Sequence, residues 1–286
     1  MRAVIALLRA ERRARWFFLA LTQSALGTGA AYVALLLVAF ERFESPWAIS
    51  LVLIADLLPA MLLGPVFGAV ADRWSRRWCC VAADAVRAGA FLGIAVVDGF
   101  VPTIALAALA GTGTALFTPA SLAGVPSLVH EERRPAAMSL YGAIADLGFT
   151  AGPALAALVL AFGGAEDILI VNGISFALCG AILALIPFGE IPEDERRQEG
   201  VPAPTLFQDT REGLAVVVRL TGVREVIAGS AAALFFGGIF NVGELLFAKE
   251  DLETTDAGYS ILVAVFGLGF VGGSLAGSGG GSADLL

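Results

Sequence analysis

The chain has 286 residues, of which 58% are hydrophobic and only 15% are charged, and its mean hydropathy is +0.83. A soluble domain carries about 25% charged residues because its surface must be hydrated. This composition therefore excludes an ordinary water-soluble globular protein, whatever the net charge of −8. We expect lipid to be the solvent for much of the surface.

Eight apolar segments are long enough to cross a bilayer, whose hydrocarbon core of about 30 Å requires about 20 helical residues. These predicted spans, numbered one to eight, are residues 16–40, 47–70, 78–97, 100–123, 136–162, 168–188, 226–248 and 257–277. Gly and Pro occur freely within them, as is usual in membrane helices. The predicted fold class is an all-α integral membrane protein.

The basic residues alternate between the two sides of this arrangement. Fifteen of the 18 Lys and Arg residues precede span one or lie in the loops after spans two, four and six. The opposite loops hold only Arg42 and Lys249, and Arg87 lies within span three. Because Lys and Arg are enriched in cytoplasmic loops, we expect a cytoplasmic N-terminus. The excess of Arg over Lys, with abundant Ala and Gly, indicates a GC-rich bacterial source and hence a multi-pass inner-membrane protein.

Cysteine and histidine positions give no sign of catalysis. Cys79 and Cys80 are adjacent at a helix start, Cys179 lies inside span six, and His130 has no Cys or His neighbour in the sequence. The sequence contains no nucleophile elbow, phosphate-binding loop or zinc-ligand spacing. We therefore predict no enzymatic activity, no cofactor, no metal and no nucleic-acid partner.

The composition changes after span six, which defines the predicted domains. Residues 1–188 form an N-terminal six-helix transmembrane bundle, residues 189–225 a cytoplasmic central loop, and residues 226–286 the first two helices of a second bundle. The loop contains a short amphipathic segment at 205–219. It is either a helix lying on the inner membrane surface or a solvated linker helix.

An internal repeat relates the two halves. The end of span two, residues 68–73, is echoed at the end of span eight, residues 273–278. The same spacing maps Leu286 onto Val81, where a third helix begins. We therefore expect two halves of similar design, with the second half C-terminally truncated and four of its helices absent.

The loop between spans two and three carries a family motif. It reads Gly68-Ala-Val-Ala-Asp72-Arg73-Trp-Ser-Arg76-Arg77 and resembles the loop motif G-x-L-A-D-R-x-G-R-K of the major facilitator superfamily. The resemblance implies a transporter in which this motif forms a cytoplasmic latch between the halves. The expected latch residues are Gly68, Asp72, Arg73, Arg76 and Arg77.

Asp84 and Arg87 lie three residues apart on span three and therefore share a helix face. They either extend the latch or form a pair that neutralises itself.

Two further stretches are similar to exporters of that superfamily. Residues 118–129 resemble a segment of the siderophore- and macrolide-exporter branch, and Gly148-x-x-x-Gly152-Pro153 resembles the antiporter motif of helix five. The resemblance implies efflux, with the helix-five glycines packing against Gly269, Gly273 and Gly277 of span eight. Many proton-coupled exporters also carry an arginine in helix four. Residues 106–114 contain none, so a coupling mechanism based on that arginine does not carry over.

Acidic residues inside the spans are the candidates for proton or substrate binding. An acid at the bilayer centre costs about 2.5–3.5 kcal/mol, so such a residue usually faces a cavity or a partner. The candidates are Asp146 near the middle of span five, Asp56 in span two and Glu244 towards the outer end of span seven. Asp146 could equally be a hydrogen-bonded helix contact, and Glu244 a side chain that reaches the interface.

The predicted function is secondary active transport, by alternating access, with proton-coupled efflux of a drug or small metabolite. The expected partners are that small molecule, the lipid bilayer and protons. The alternative is a truncated, non-transporting membrane protein that associates with a partner.

Overall fold

The computed structural model describes residues 2–189 and 221–280, and the regular structure of these residues is entirely helical. Nine α-helices follow one another: α1 Arg2–Ala10, α2 Arg12–Phe43, α3 Pro46–Arg73, α4 Arg76–Val96, α5 Phe100–Gly124, α6 Arg134–Leu160, α7 Ala165–Leu185, α8 Thr221–Leu246 and α9 Asp256–Gly280. Two 3-10 turns, Val125–Leu128 and Glu131–Arg133, connect α5 to α6, and a π-helical turn, Phe247–Asp251, follows α8.

The predicted all-α membrane fold is confirmed. Helices α2 to α7 coincide with spans one to six, and each belongs to a helical stretch long and apolar enough to cross a bilayer. Helices α8 and α9, of 26 and 25 residues, coincide with spans seven and eight. The predicted amphipathic helix at 205–219 lies outside the described residues.

Helix α1 was not predicted, because its arginines were interpreted only as an orientation signal. It is amphipathic: Leu7 is fully buried, whereas Ile5 and Arg9 are exposed. Helix α1 packs against α2 and α6. The N-terminal basic segment is therefore attached to the bundle by an apolar side chain.

The bundle has two distinct ends, which are named here by their connections. The arginine-rich end carries α1 and the α3–α4 and α5–α6 connections, and it is the expected cytoplasmic side. The opposite end carries the α2–α3, α4–α5, α6–α7 and α8–α9 connections. Within the first six spans, α5 packs along α3 and α4, α4 along α7, and α2 along α6 and α7. The second half contacts the first mainly through α9, which packs on α6.

The glycines of α6 do not pack against α9 as expected, and this part of the prediction is corrected. A Cβ added at Gly148 would lie 2.5 Å from the Ala25 carbonyl oxygen, and one at Gly152 would lie 2.5 Å from Gly29 Cα. Both contacts are with α2. Helix α9 instead meets α6 through Gly267, where an added Cβ would lie 3.2 Å from Thr150 Cα. The glycine pattern identified a closely approached face of α6 but not the helix that approaches it.

The buried apolar side chains form two clusters, one towards each end. The cluster at the arginine-rich end includes Leu7, Phe17 and Phe188, and its described members all come from residues 7–188. The cluster towards the opposite end combines residues of α2, α3, α4, α5, α6 and α7 with Leu245, Ala248 and Tyr259. Among the described residues, the two halves therefore share a buried apolar core only towards the opposite end.

Candidate functional site

Two of the three predicted acids meet around Tyr32. The side chain of Tyr32, on α2, interacts electrostatically with Asp56 of α3 and Glu244 of α8 and is hydrogen-bonded to Asn241. Tyr259 of α9 is 1% exposed and interacts electrostatically with Glu244 and Tyr32. These five residues, hereafter the acid–tyrosine cluster, come from four helices and from both halves.

A close backbone contact positions Asp56. A Cβ added at Gly111 of α5 would lie 1.9 Å from the Asp56 carbonyl oxygen, so the absence of a side chain at Gly111 lets α3 lie directly against α5. Tyr32 is 11 residues from the end of α2 at Phe43, which corresponds to about 16 Å along a helix. The cluster is therefore inside the predicted membrane region, in the half nearer the opposite end.

Asp146 does not join this cluster. It is exposed on α6, and it takes no part in the electrostatic interactions of Tyr32, Asp56 or Glu244 described above. Thr150, one helical turn later on the same face, contacts Gly267 of α9. Asp146 therefore lies on the side of α6 that faces the second half, away from the Gly148–Gly152 face.

The latch residues lie at the arginine-rich end, where Arg76 and Arg77 have fixed partners. Arg76 donates a hydrogen bond to the Ala123 carbonyl at 3.1 Å, and Arg77 donates one to the Ala184 carbonyl. These bonds attach the start of α4 to the ends of α5 and α7. By contrast, the Asp72 side chain is 72% exposed and lies 3.7 Å from Arg76.

The other two latch residues belong to α3. Gly68 has open space where a Cβ would lie, and Arg73 forms the last residue of the helix. The Asp72 side of the motif is therefore accessible in this conformation.

Asp84 and Arg87 lie inside the bundle, paired with each other. Asp84 is fully buried and Arg87 is 5% exposed. The Arg87 guanidinium lies between the rings of Phe117 and Phe176, 4.0 and 4.1 Å from their centroids, so cation–π attraction adds to the ion pair.

Arg87 also supplies a basic group to the face of α5. Its Cγ would lie 2.7 Å from a Cβ added at Gly113, and the Arg87 charge interacts with Asp56. Although α5 contains no arginine at 106–114, a basic side chain from α4 reaches it. The sequence contained this signal only in the presence of a lone arginine within span three.

A second charged group was not predicted and lies at the opposite end. Lys249, in the π-helical turn, donates a hydrogen bond to Asp256 at the start of α9. The Glu41 carboxyl of α2 lies within hydrogen-bonding reach of the Asp256 carboxyl and interacts with Lys249. We call Glu41, Lys249 and Asp256 the outer contact.

Arg42, beside the outer contact, is bound to the first half alone. Its guanidinium donates to the Ile94 carbonyl at 2.8 Å, to the Ala95 carbonyl at 3.3 Å and to the Val97 carbonyl. It also pairs with Glu166 of α7 at 3.0 Å. Arg42 and Lys249 are the exceptions to the charge bias of the loops, and that exception was the available sequence signal for this region.

Comparisons with known proteins agree with this architecture. Macrolide efflux protein A of Streptococcus pyogenes is 22% identical over 240 residues, covering 82% of this chain and 58% of that protein. The multidrug efflux pump Tap of Mycobacterium tuberculosis is 28% identical over 267 residues, covering 87% of this chain and 61% of that protein. The chain thus spans about 60% of the length of these relatives.

Solved structures share the fold at low sequence identity. A bacterial homologue of the human lysosomal transporter Spinster, in an inward-facing and unoccupied conformation, gives a TM-score of 0.64 at 16% identity, covering 93% of this chain and 63% of that one. A D-xylose–proton symporter gives a TM-score of 0.54 at 14% identity, covering 89% and 65% of the respective chains. The family model of the Major Facilitator Superfamily matches residues 17–283. The chain therefore belongs to the Major Facilitator Superfamily.

Proposed function

We propose that this chain acts in proton-coupled export of a drug or small metabolite from a bacterial cell, by alternating access and with its N-terminus in the cytoplasm. Relatives named as a macrolide efflux protein and a multidrug efflux pump support export. They favour a transporter over the non-transporting alternative.

The observation that carries the proposal is where the two halves touch. Among the described residues, Leu245, Ala248 and Tyr259 of the second half are buried in the apolar cluster towards the opposite end, whereas the cluster at the arginine-rich end contains first-half residues only. If the arginine-rich end is cytoplasmic, this arrangement corresponds to an inward-open state. Rocking of one half against the other would then close the inner side and open the outer side.

The acid–tyrosine cluster is the proposed proton site. Asp56 and Glu244 belong to different halves yet share the neighbour Tyr32, so a change in the charge of either acid alters the interaction between the halves. Rocking would separate α8 from α2 and α3 and change the surroundings of both carboxyl groups. Asp56 and Glu244 would therefore bind and release a proton in different states.

Asp146 is a second, separate candidate. It lies exposed on the face of α6 that is turned towards the second half, where a cavity between the halves would be. We propose that it contacts a cationic substrate or a proton in that cavity.

The loop motif is proposed as the latch of the outward-open state. Arg76 and Arg77 are attached to α5 and α7, whereas the Asp72 carboxylate remains 72% exposed. An exposed carboxylate at the end of α3 is free to accept hydrogen bonds from the second half when the arginine-rich end closes. Gly68 and Arg73, on the same helix end, would be part of that contact.

The test is efflux from bacterial cells that lack their major drug exporters. Cells producing the protein are loaded with a macrolide or a fluorescent cationic dye, and loss of the compound is followed with and without a protonophore. We expect efflux that the protonophore abolishes. Efflux that persists after the gradient has collapsed would contradict proton coupling, and no efflux of any tested class would contradict the export proposal.

Three variants assign the acids in the same assay. Asp56→Asn should abolish gradient-driven efflux because the acid–tyrosine cluster loses its titratable group in α3. Asp98→Asn, in the exposed α4–α5 connection, is the matched control and should retain efflux. Unchanged efflux in Asp146→Asn would remove the role assigned to Asp146 without affecting the role of Asp56.

A further inference from the structure

We infer that the outer contact of Glu41, Lys249 and Asp256 is a pH-sensitive gate that holds the opposite end closed when it is protonated and releases it when it is not. The inference rests on the proposed alternating-access function, but it concerns residues outside the acid–tyrosine cluster. It assigns to the opposite end a proton response separate from the proton site inside the membrane.

The geometry of the two carboxyl groups is the first step. Glu41 lies near the end of α2, in the first half, and Asp256 is the first residue of α9, in the second half. Their carboxyl groups lie within hydrogen-bonding reach of each other. Two carboxyl groups at that separation attract only when one of them carries a proton, because two ionised carboxylates repel.

The surrounding charges are the second step. The charged groups that interact with Glu41 are Asp256, Glu166 and Lys249. Glu166 is paired with Arg42 at 3.0 Å, so these two charges offset each other. Lys249 is then the remaining cation beside two carboxyl groups. With one proton bound the outer contact is neutral, and without it the contact carries one net negative charge across the boundary between the halves.

The position of the outer contact makes this charge consequential. Leu245, Ala248 and Tyr259, which join the second half to the first, lie in or next to the same segments as Lys249 and Asp256. Glu41 itself is exposed, so water at the opposite end can deliver the proton. Repulsion between Glu41 and Asp256 therefore acts directly on the contact that closes this end.

The gate would complete the transport cycle in the proposed orientation. An exporter that has released its substrate outside must close its outer side before it can reopen inwards. A proton from the more acidic outer compartment would bind one carboxylate oxygen of the Glu41–Asp256 pair and remove their repulsion. Closure of the outer side would thus be favoured under the condition in which the proton gradient is present.

The test measures the distance across the gate rather than transport. Spin labels are placed at Phe162→Cys, in the first half, and at Leu252→Cys, in the second half. Both native side chains are exposed, by 89% and 50%, and the three native cysteines are buried. Pulsed electron paramagnetic resonance on the protein in lipid nanodiscs then gives the distance distribution between acidic and alkaline pH. We expect a short distance at acidic pH and a growing population of longer distances as the pH rises.

Charge variants identify the residues responsible. Glu41→Gln cannot ionise but can still donate a hydrogen bond to Asp256, so the short distance should persist at alkaline pH. Glu44→Gln, three residues away and exposed, should keep the wild-type response. Lys249→Gln removes the cation that favours ionised carboxylates, so the opening midpoint should move to higher pH.

The two proposals fail in distinguishable ways. A distance that does not respond to pH, or a Glu41→Gln response identical to that of wild type, overturns the gate even if efflux is observed. A pH response of the expected pattern in a protein without efflux supports the gate and contradicts the export proposal alone.

Discussion

At the scale of single residues, the Asp84–Arg87 pair has the strongest energetic consequence. Both side chains are buried, and the guanidinium is held between two phenyl rings. A buried ion pair contributes little net stability compared with apolar residues of similar size, but removing one partner leaves an uncompensated charge. The pair is therefore expected to be intolerant of single substitutions.

Arg87→Met should lower the free energy of unfolding by about 3–5 kcal/mol, because it leaves Asp84 buried without its cation. Arg134→Met is the matched control: Arg134 also pairs at i,i+3, with Glu131 at 3.3 Å, but both side chains are exposed. Exposed pairs contribute about 0–1 kcal/mol. Unfolding by denaturant in detergent micelles, followed by circular dichroism, measures both. Equal losses in the two variants would contradict the assignment of Asp84–Arg87 as a buried charged pair.

At the scale of helices, the contact of α2 with α6 depends on residues without side chains. Gly29 and Gly148 approach so closely that a Cβ added at Gly29 would lie 1.9 Å from the Gly148 carbonyl oxygen. Without a hydrophobic driving force in lipid, such close approach supplies much of the van der Waals attraction between membrane helices.

Gly148→Ala should destabilise the bundle by about 1–3 kcal/mol, the usual cost of overpacking, because the new methyl group would meet the backbone of α2. Gly142→Ala, on the same helix but with open space at its Cβ, should be neutral or stabilising by up to about 1 kcal/mol because Ala favours a helix. Thermal unfolding in detergent distinguishes the two. If Gly148→Ala is as stable as Gly142→Ala, the close contact between α2 and α6 does not exist.

The sequence predicted the helices better than their partners. Span length and hydropathy are local properties, so α2 to α7 were located within a few residues. Partner choice is not local: Gly148 and Gly152 indicated that some helix approaches α6, but Ala25 and Gly29 of α2 are small as well as Gly269 of α9.

The same limit applies to the candidate site. Asp56 and Glu244 were each identified as acids within spans, but they are 188 positions apart in the sequence. Nothing in the pattern placed both beside Tyr32, since that requires α8 to pack near α2 and α3. Helix α1 was missed for a different reason, because its arginines obscured the apolar face that includes Leu7.

At the scale of the whole molecule, orientation can be tested with the native cysteines left in place. Cys79, Cys80 and Cys179 are 4%, 0% and 0% exposed, so a membrane-impermeant thiol reagent should find little background. In intact cells we expect labelling of Glu44→Cys, at the opposite end, and protection of Arg134→Cys, at the arginine-rich end. Cell lysis should make Arg134→Cys reactive. The reverse pattern would mean that the N-terminus is outside and that the predicted orientation is inverted.

Arg42 gives the molecule a fixed reference edge. Its guanidinium is bound to three carbonyl oxygens at the end of α4 and to Glu166 of α7, so three helices of the first half are joined beside the outer contact. A displacement measured across Glu41 and Asp256 can therefore be attributed to the second half. In the coordinate frame of the six-helix bundle, α8 and α9 are the moving body and this rim is the stationary one. Transport kinetics that depend on the opposite end should thus be governed by the motion of a single rigid unit.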